Sequence, residues 1–181
     1  MNPTFIKPRY DSGGYAGIPN RIKEAFASRN YDAVVLFLVD GFGWRFYERF
    51  QDAAFIQRIA KYGKIEKLTS QFPSTTAAHV TTIHSGLPVG ESGIYEWVYF
   101  EPQADAVIAP LLFSYAGTAE RDTLRPAKIE PSSLYPRGTF YPDLRTMGVE
   151  PYVFGIRDYT PSTYSRVVMA GAEQVAFKTM L

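Results

Sequence analysis

Val34-Val35-Leu36-Phe37-Leu38-Val39-Asp40-Gly41-Phe42-Gly43-Trp44 is an apolar run that ends in a carboxylate, with glycines at Gly41 and Gly43. A strand covered on both faces of a parallel sheet reads as a continuous apolar run, not an alternating one. Asp32 to Val39 is therefore expected to be the first core strand. An acid at the carboxyl end of such a strand sits where open α/β sheets bind their ligands. Asp40 is the first candidate site residue.

Downstream lies Phe72-Pro-Ser-Thr-Thr-Ala-Ala-His-Val-Thr-Thr-Ile-His-Ser-Gly-Leu-Pro-Val-Gly-Glu-Ser-Gly-Ile-Tyr-Glu-Trp97. A Ser/Thr cluster opens it and Gly86-Leu87-Pro88 closes its helical part, which are start and stop signals. The spacing predicts a short helix over Thr76 to Ser85. Hydroxyls collect where unpaired N–H groups and the positive end of the helix dipole meet, a place suited to phosphate. Thr75 or Thr76 could act there as a nucleophile, given a base or metal, or serve only as a cap. An Asp on a strand tip and a Thr at this helix start could also share a metal cation.

The remaining segments fit helices alternating with strands. Tyr10-Asp11-Ser12-Gly13-Gly14-Tyr15 is expected to be an irregular loop that either lies over the site or is a plain lead-in arm. Asn20 is read as the cap of a helix to Ala27, with Ile22 and Phe26 on one face. Phe46 to Tyr62 has the spacing of one amphipathic helix ended by Gly63, and Lys64 to Ser70 reads as the next strand. Tyr95 to Phe100 and Ala104 to Ile108 suggest a hairpin. Residues 103–136 are Pro-rich and poorly periodic, an expected cap excursion of loops and short helices. Tyr141 to Met147 reads as a helix and Val149 to Gly155 as a strand. A helix from Pro161 to Gly171 after a Thr160 cap, then a strand from Gln174 to Phe177, complete the chain. The pattern argues one α/β domain over residues 1–181, a mostly parallel sheet sandwiched by helices.

Composition narrows the function classes. The 181 residues are 46% hydrophobic and 20% charged, which is ordinary for a globular domain. Net charge is +1, so bulk electrostatic binding to nucleic acid is not expected. No cysteine is present, which excludes disulfides and thiolate metal sites. The N-terminal residues show no secretory h-region, and the longest apolar run is too short to span a bilayer. The expectation is a cytoplasmic protein with no membrane partner.

With these two segments the chain resembles the alkaline phosphatase superfamily, in its type I phosphodiesterase and nucleotide pyrophosphatase branch. The matching elements are Val39-Asp40-Gly41, then Phe72-Pro73-Ser74-Thr75-Thr76, then the tail Gly86-Leu87-Pro88-Val89-Gly90-Glu91-Ser92-Gly93. Counting back from Gly86 aligns Thr76 with the family's nucleophile, Thr75 being the alternative. The resemblance implies a hydrolase of phosphodiesters or nucleotide pyrophosphates, with a small phosphate ester as substrate. It also implies that Asp40 and Thr76 contact one of two divalent metal ions, Zn²⁺ or Mn²⁺. Family members often carry Asn three residues after the Thr; here that position is His79, a substrate-binding candidate together with Gly41. The similarity is expected to cover Ala33 to Ala170.

The chain departs from the family in its second half. Further family ligands come from an Asp-x-x-x-His and an Asp-His segment, yet no His follows Gly155. The expected sheet is thus apparently incomplete. A missing C-terminal half, a homo-oligomer partner, or a non-catalytic α/β module are the alternatives. His84 diverges from His79 by about 140° on a helix and is expected to pack. Glu91 and Glu96 are candidate ligands or solvated carboxylates. Arg157 and Asp158 are either at a functional edge or a structural ion pair.

Overall fold

Helix α4 (Thr76–Ser85) packs against several other elements, and its ends are set by local chemistry. Thr75 is the N-cap, its hydroxyl accepting from the Ala78 N–H at 3.3 Å. Such a cap contributes about 1 kcal/mol. Gly86 closes the helix in the left-handed conformation at φ 75°, where a Cβ would be strained. Between the caps the residues are small or β-branched, so neighbours approach from several sides. Ala77, Ala78, Thr81, Thr82, Ile83 and His84 are all buried. The buried hydroxyls are satisfied: Thr81 donates to the Ala77 carbonyl, and Thr82 donates to the Leu87 carbonyl while accepting from Gln71 Nε2 at 2.7 Å.

The computed structural model describes residues 6–28 and 31–179. The Met1–Phe5 part of the lead-in segment lies outside them. Before α4 come α1 (Ile18–Ala27), α2 (Trp44–Phe50) and α3 (Ala54–Tyr62). After it come α5 (Val89–Ser92), β1 (Tyr99–Glu101), β2 (Ala106–Ala109), β3 (Ser114–Tyr115), α6 (Pro131–Leu134) and α7 (Tyr141–Thr146). β4 (Tyr152–Ile156), α8 (Thr163–Val168) and β5 (Glu173–Phe177) end the order. Among the described residues, no helix is long and apolar enough to cross a membrane.

The core is assembled from Ala77 onward. Ile94, Ile108, Phe113, Leu124, Tyr164 and Val168 are its most enclosed members, and Ile22 and Phe26 of α1 pack against it as their spacing implied. Residues 103–136, the expected excursion of loops and short helices, supply much of this core, including Leu111, Phe113 and Leu134. The hairpin exists in shortened form: β1 pairs antiparallel with β2, with Tyr99 opposite Ile108, and β2 pairs with β3.

Mixed helices and strands are present as expected, but among the described residues they do not form a single, mostly parallel sheet. The described strands form a three-stranded antiparallel sheet, β1-β2-β3, and a two-stranded parallel one, β4-β5. Asp32 to Val39 is not a strand. Val35 is 71% and Phe37 81% exposed, where a core strand would be covered. Apolar composition supplies a reason to be buried but not a partner edge, and without a ladder no strand forms. Lys64 to Ser70 likewise contributes only one parallel bridge, Gly14 to Thr69. The helix expected over Phe46 to Tyr62 is broken into α2 and α3 at Gln51–Ala53, and neither has a buried residue. At the C-terminal end Ser162, not Thr160, caps α8, through a capping box with Ser165.

Candidate functional site

Three segments bring the site together. The Asp40-Gly41 turn follows the exposed apolar run, and Gly41 adopts φ 72°. Helix α4 presents Thr76 in its first turn and His79 one turn on. The N-terminal loop presents Tyr15. All of these residues line one open cavity of about 2240 Å³, which β4 and the unpaired 33–39 segment also border.

Thr76 Oγ1 donates to Asp40 Oδ2 at 3.0 Å. The pair expected within one metal's reach is therefore in direct hydrogen-bond contact, although the Asp40 carboxylate is not at the tip of a paired strand. Thr75 has a different job. Its hydroxyl caps α4 and donates to the Tyr95 carbonyl at 2.9 Å. Thr75 is thus occupied, whereas Thr76 borders the cavity and, among the described residues, donates to the carboxylate alone. Its position one residue inside the helix start puts its hydroxyl among N–H groups left unpaired by the helix.

His79 lies in the same cavity, its ring 4.4 Å from that of Tyr15. Burial lowers its pKa, and the nearby Asp40 charge opposes that fall. The buried His79 Nε2 has no hydrogen-bond partner among the described residues. The same holds for the Tyr15 hydroxyl, which burial and then the Asp40 charge keep protonated well above the usual phenol range. Tyr15 was not legible as a site residue in the sequence; its only signal was a glycine-rich loop with an aromatic at its end.

The other candidates have different partners, although His84 also borders the cavity. His84 is buried against Tyr141, its Nδ1 bonded to the Tyr141 hydroxyl, as expected of a packing residue. Glu96 accepts from the Trp97 N–H, and Glu91 is exposed; neither borders the cavity. Arg157 and Asp158 form no ion pair with each other among the described residues; the Arg157 carbonyl instead accepts from Arg121.

For a divalent ion the described residues offer a short donor set. Asp40 and Thr76 supply oxygens, but no group of three or more His, Cys, Asp or Glu side chains converges. A catalytic zinc site typically has about three protein ligands. The residues present do not by themselves complete the metal centre that the family resemblance implies.

A threonine hydroxyl bonded to a carboxylate at a helix N-terminus, in an open cleft of a mixed α/β chain, defines a candidate hydroxyl-nucleophile site. Residues 34–110 match the family model for type I phosphodiesterase / nucleotide pyrophosphatase. The similarity to the alkaline phosphatase superfamily is thus found in the N-terminal part of the chain, over the segments that carry Asp40, Thr76 and the Gly86–Gly93 tail. It ends well short of the expected Ala170. No curated protein and no solved structure matches the chain.

Proposed function

We propose that the chain carries the nucleophile half of a phosphoric-ester hydrolase site, with Thr76 as nucleophile. The observation that supports this most is the Thr76–Asp40 hydrogen bond of 3.0 Å inside the stretch that matches the phosphodiesterase family. On this mechanism the Thr76 Oγ attacks phosphorus in line with the bond to the leaving oxygen. Its proton passes to the Asp40 carboxylate, while the leaving group, an alkoxide or a phosphate on the opposite side of phosphorus, takes its proton from water. The product is a phosphothreonine ester. Water then attacks phosphorus, the bond to Thr76 breaks, and the threonine oxygen takes up a proton.

The substrate class is a small phosphodiester or nucleotide pyrophosphate, and an aryl phosphodiester such as bis(4-nitrophenyl) phosphate is the probe. Thr76→Ala should remove turnover and leave the fold intact, while Thr75→Ala should mainly lower stability, by about 1 kcal/mol for a lost cap. Full turnover in Thr76→Ala would place the nucleophile elsewhere. The donor count favours a second function, a non-catalytic or incomplete α/β module. In that case a second copy or a C-terminal continuation supplies the remaining ligands, and the isolated chain binds Zn²⁺ or Mn²⁺ weakly. Metal titration beside light scattering separates the two. A cytoplasmic setting and the absence of nucleic-acid and membrane partners remain part of this proposal, from charge and composition.

A further inference from the structure

Tyr15 is held with more care than a lead-in arm requires. Its N–H donates to the Thr69 carbonyl at 3.0 Å, and the Thr69 N–H donates back to Gly13. Arg9 N–H donates to Thr69 Oγ1 at 2.7 Å, and Asp11 Oδ1 accepts from the Gly13 N–H at 2.8 Å. Arg21 bridges Glu66 and the Ser12 carbonyl, and the Tyr10 hydroxyl accepts from the Phe72 N–H. Gly14 permits the turn: a Cβ there would overlap the Arg9 carbonyl oxygen. The loop is thereby tied to the chain that leads into α4.

What this scaffold presents is a buried hydroxyl with nothing to bond. Among the described residues the Tyr15 hydroxyl and His79 Nε2 are both unpartnered, the two rings are in contact, and both residues line the cavity with Asp40 and Thr76. Leaving a buried polar group unsatisfied costs about 1–3 kcal/mol, so a fold rarely keeps one without a use. Packing alone would be served as well by Phe. A fixed donor in the cavity that holds the nucleophile is, however, what a phosphoryl oxygen needs when the substrate arrives.

We propose that the Tyr15 hydroxyl is a substrate-binding group that donates a hydrogen bond to a non-bridging phosphoryl oxygen of the ester held at Thr76. The inference rests on the assignment of Thr76 as nucleophile, and it adds a residue upstream of the stretch that matches the family. Its tell-tale is opposite signs in stability and affinity. Tyr15→Phe removes only an oxygen without a partner, so the free protein should melt at the same temperature or higher. Binding of inorganic phosphate, measured calorimetrically on the full chain with added Zn²⁺, should weaken about tenfold or more, the worth of a bond to a charged acceptor. Thr76→Ala run in parallel should lose ester turnover.

Phosphate affinity unchanged in Tyr15→Phe would overturn the role, and turnover lost in Thr76→Ala would still leave the nucleophile standing. A lower melting temperature in Tyr15→Phe would also overturn it, by showing that the hydroxyl is structural. Wild-type protein that neither binds phosphate nor turns over ester would remove both assignments together.

Discussion

Acidification should destabilise this protein through one buried imidazole. His84 is enclosed between α4 and α7, and burial pulls its pKa from 6.5 down to about 4. The folded state therefore resists protonation more than the unfolded state does. Stability contributed this way is fully present above the unfolded value of 6.5 and is lost as pH falls toward the folded value of about 4. Between these values the unfolded chain binds the extra proton, so the slope of stability against pH is positive there. From about pH 7 to about pH 5 the loss amounts to about 2 kcal/mol. His79, also lowered by burial, adds in the same direction but is only half-buried and contributes less. Urea unfolding across this range should show the loss, and His84→Asn should flatten most of it. The His84 ring protons should not titrate in NMR until the pH nears 4. A His84→Asn protein with the wild-type pH profile, or a ring that titrates near 6.5, would refute the reasoning.

Two side chains test which part of the molecule is the core. Phe37→Ser should change unfolding free energy by less than about 0.5 kcal/mol, since the ring is 81% exposed, whereas Phe113→Ala should cost about 3–5 kcal/mol. Chemical denaturation of both variants checks the contrast, and an equal loss in both would show that the 33–39 run is covered in solution. Gly14→Ala should displace the loop that carries Tyr15 through the overlap with the Arg9 carbonyl, and so weaken phosphate binding and lower the melting temperature together. A Gly14→Ala protein with wild-type affinity would break the link between the loop and the site.

What was legible in the sequence is what local chemistry decides. A Ser/Thr cluster as a start signal, Gly86 as a stop and the small residues between them set α4 at its expected bounds, Thr76–Ser85. The Tyr141 helix, the hairpin and the last strand were legible for the same reason, since turn residues and short-range periodicity act within a few residues. Asp40 and Thr76 were nominated by motif spacing, and they are hydrogen-bonded. The order of the chain could not decide whether Asp32 to Val39 became a strand. That depends on a partner edge distant in sequence, and the described residues offer it none. Nor could it show that residues 103–136 would fill the core, or that Thr75 rather than Thr76 would be consumed by capping. Tyr15 belongs to this second group too. A phenol in a glycine-rich loop carries no periodic signal, and only the bridge from Gly14 to Thr69 brings it against His79. Helix existence is settled largely by neighbours along the chain; strands and sites are settled by groups that meet only once the chain has folded.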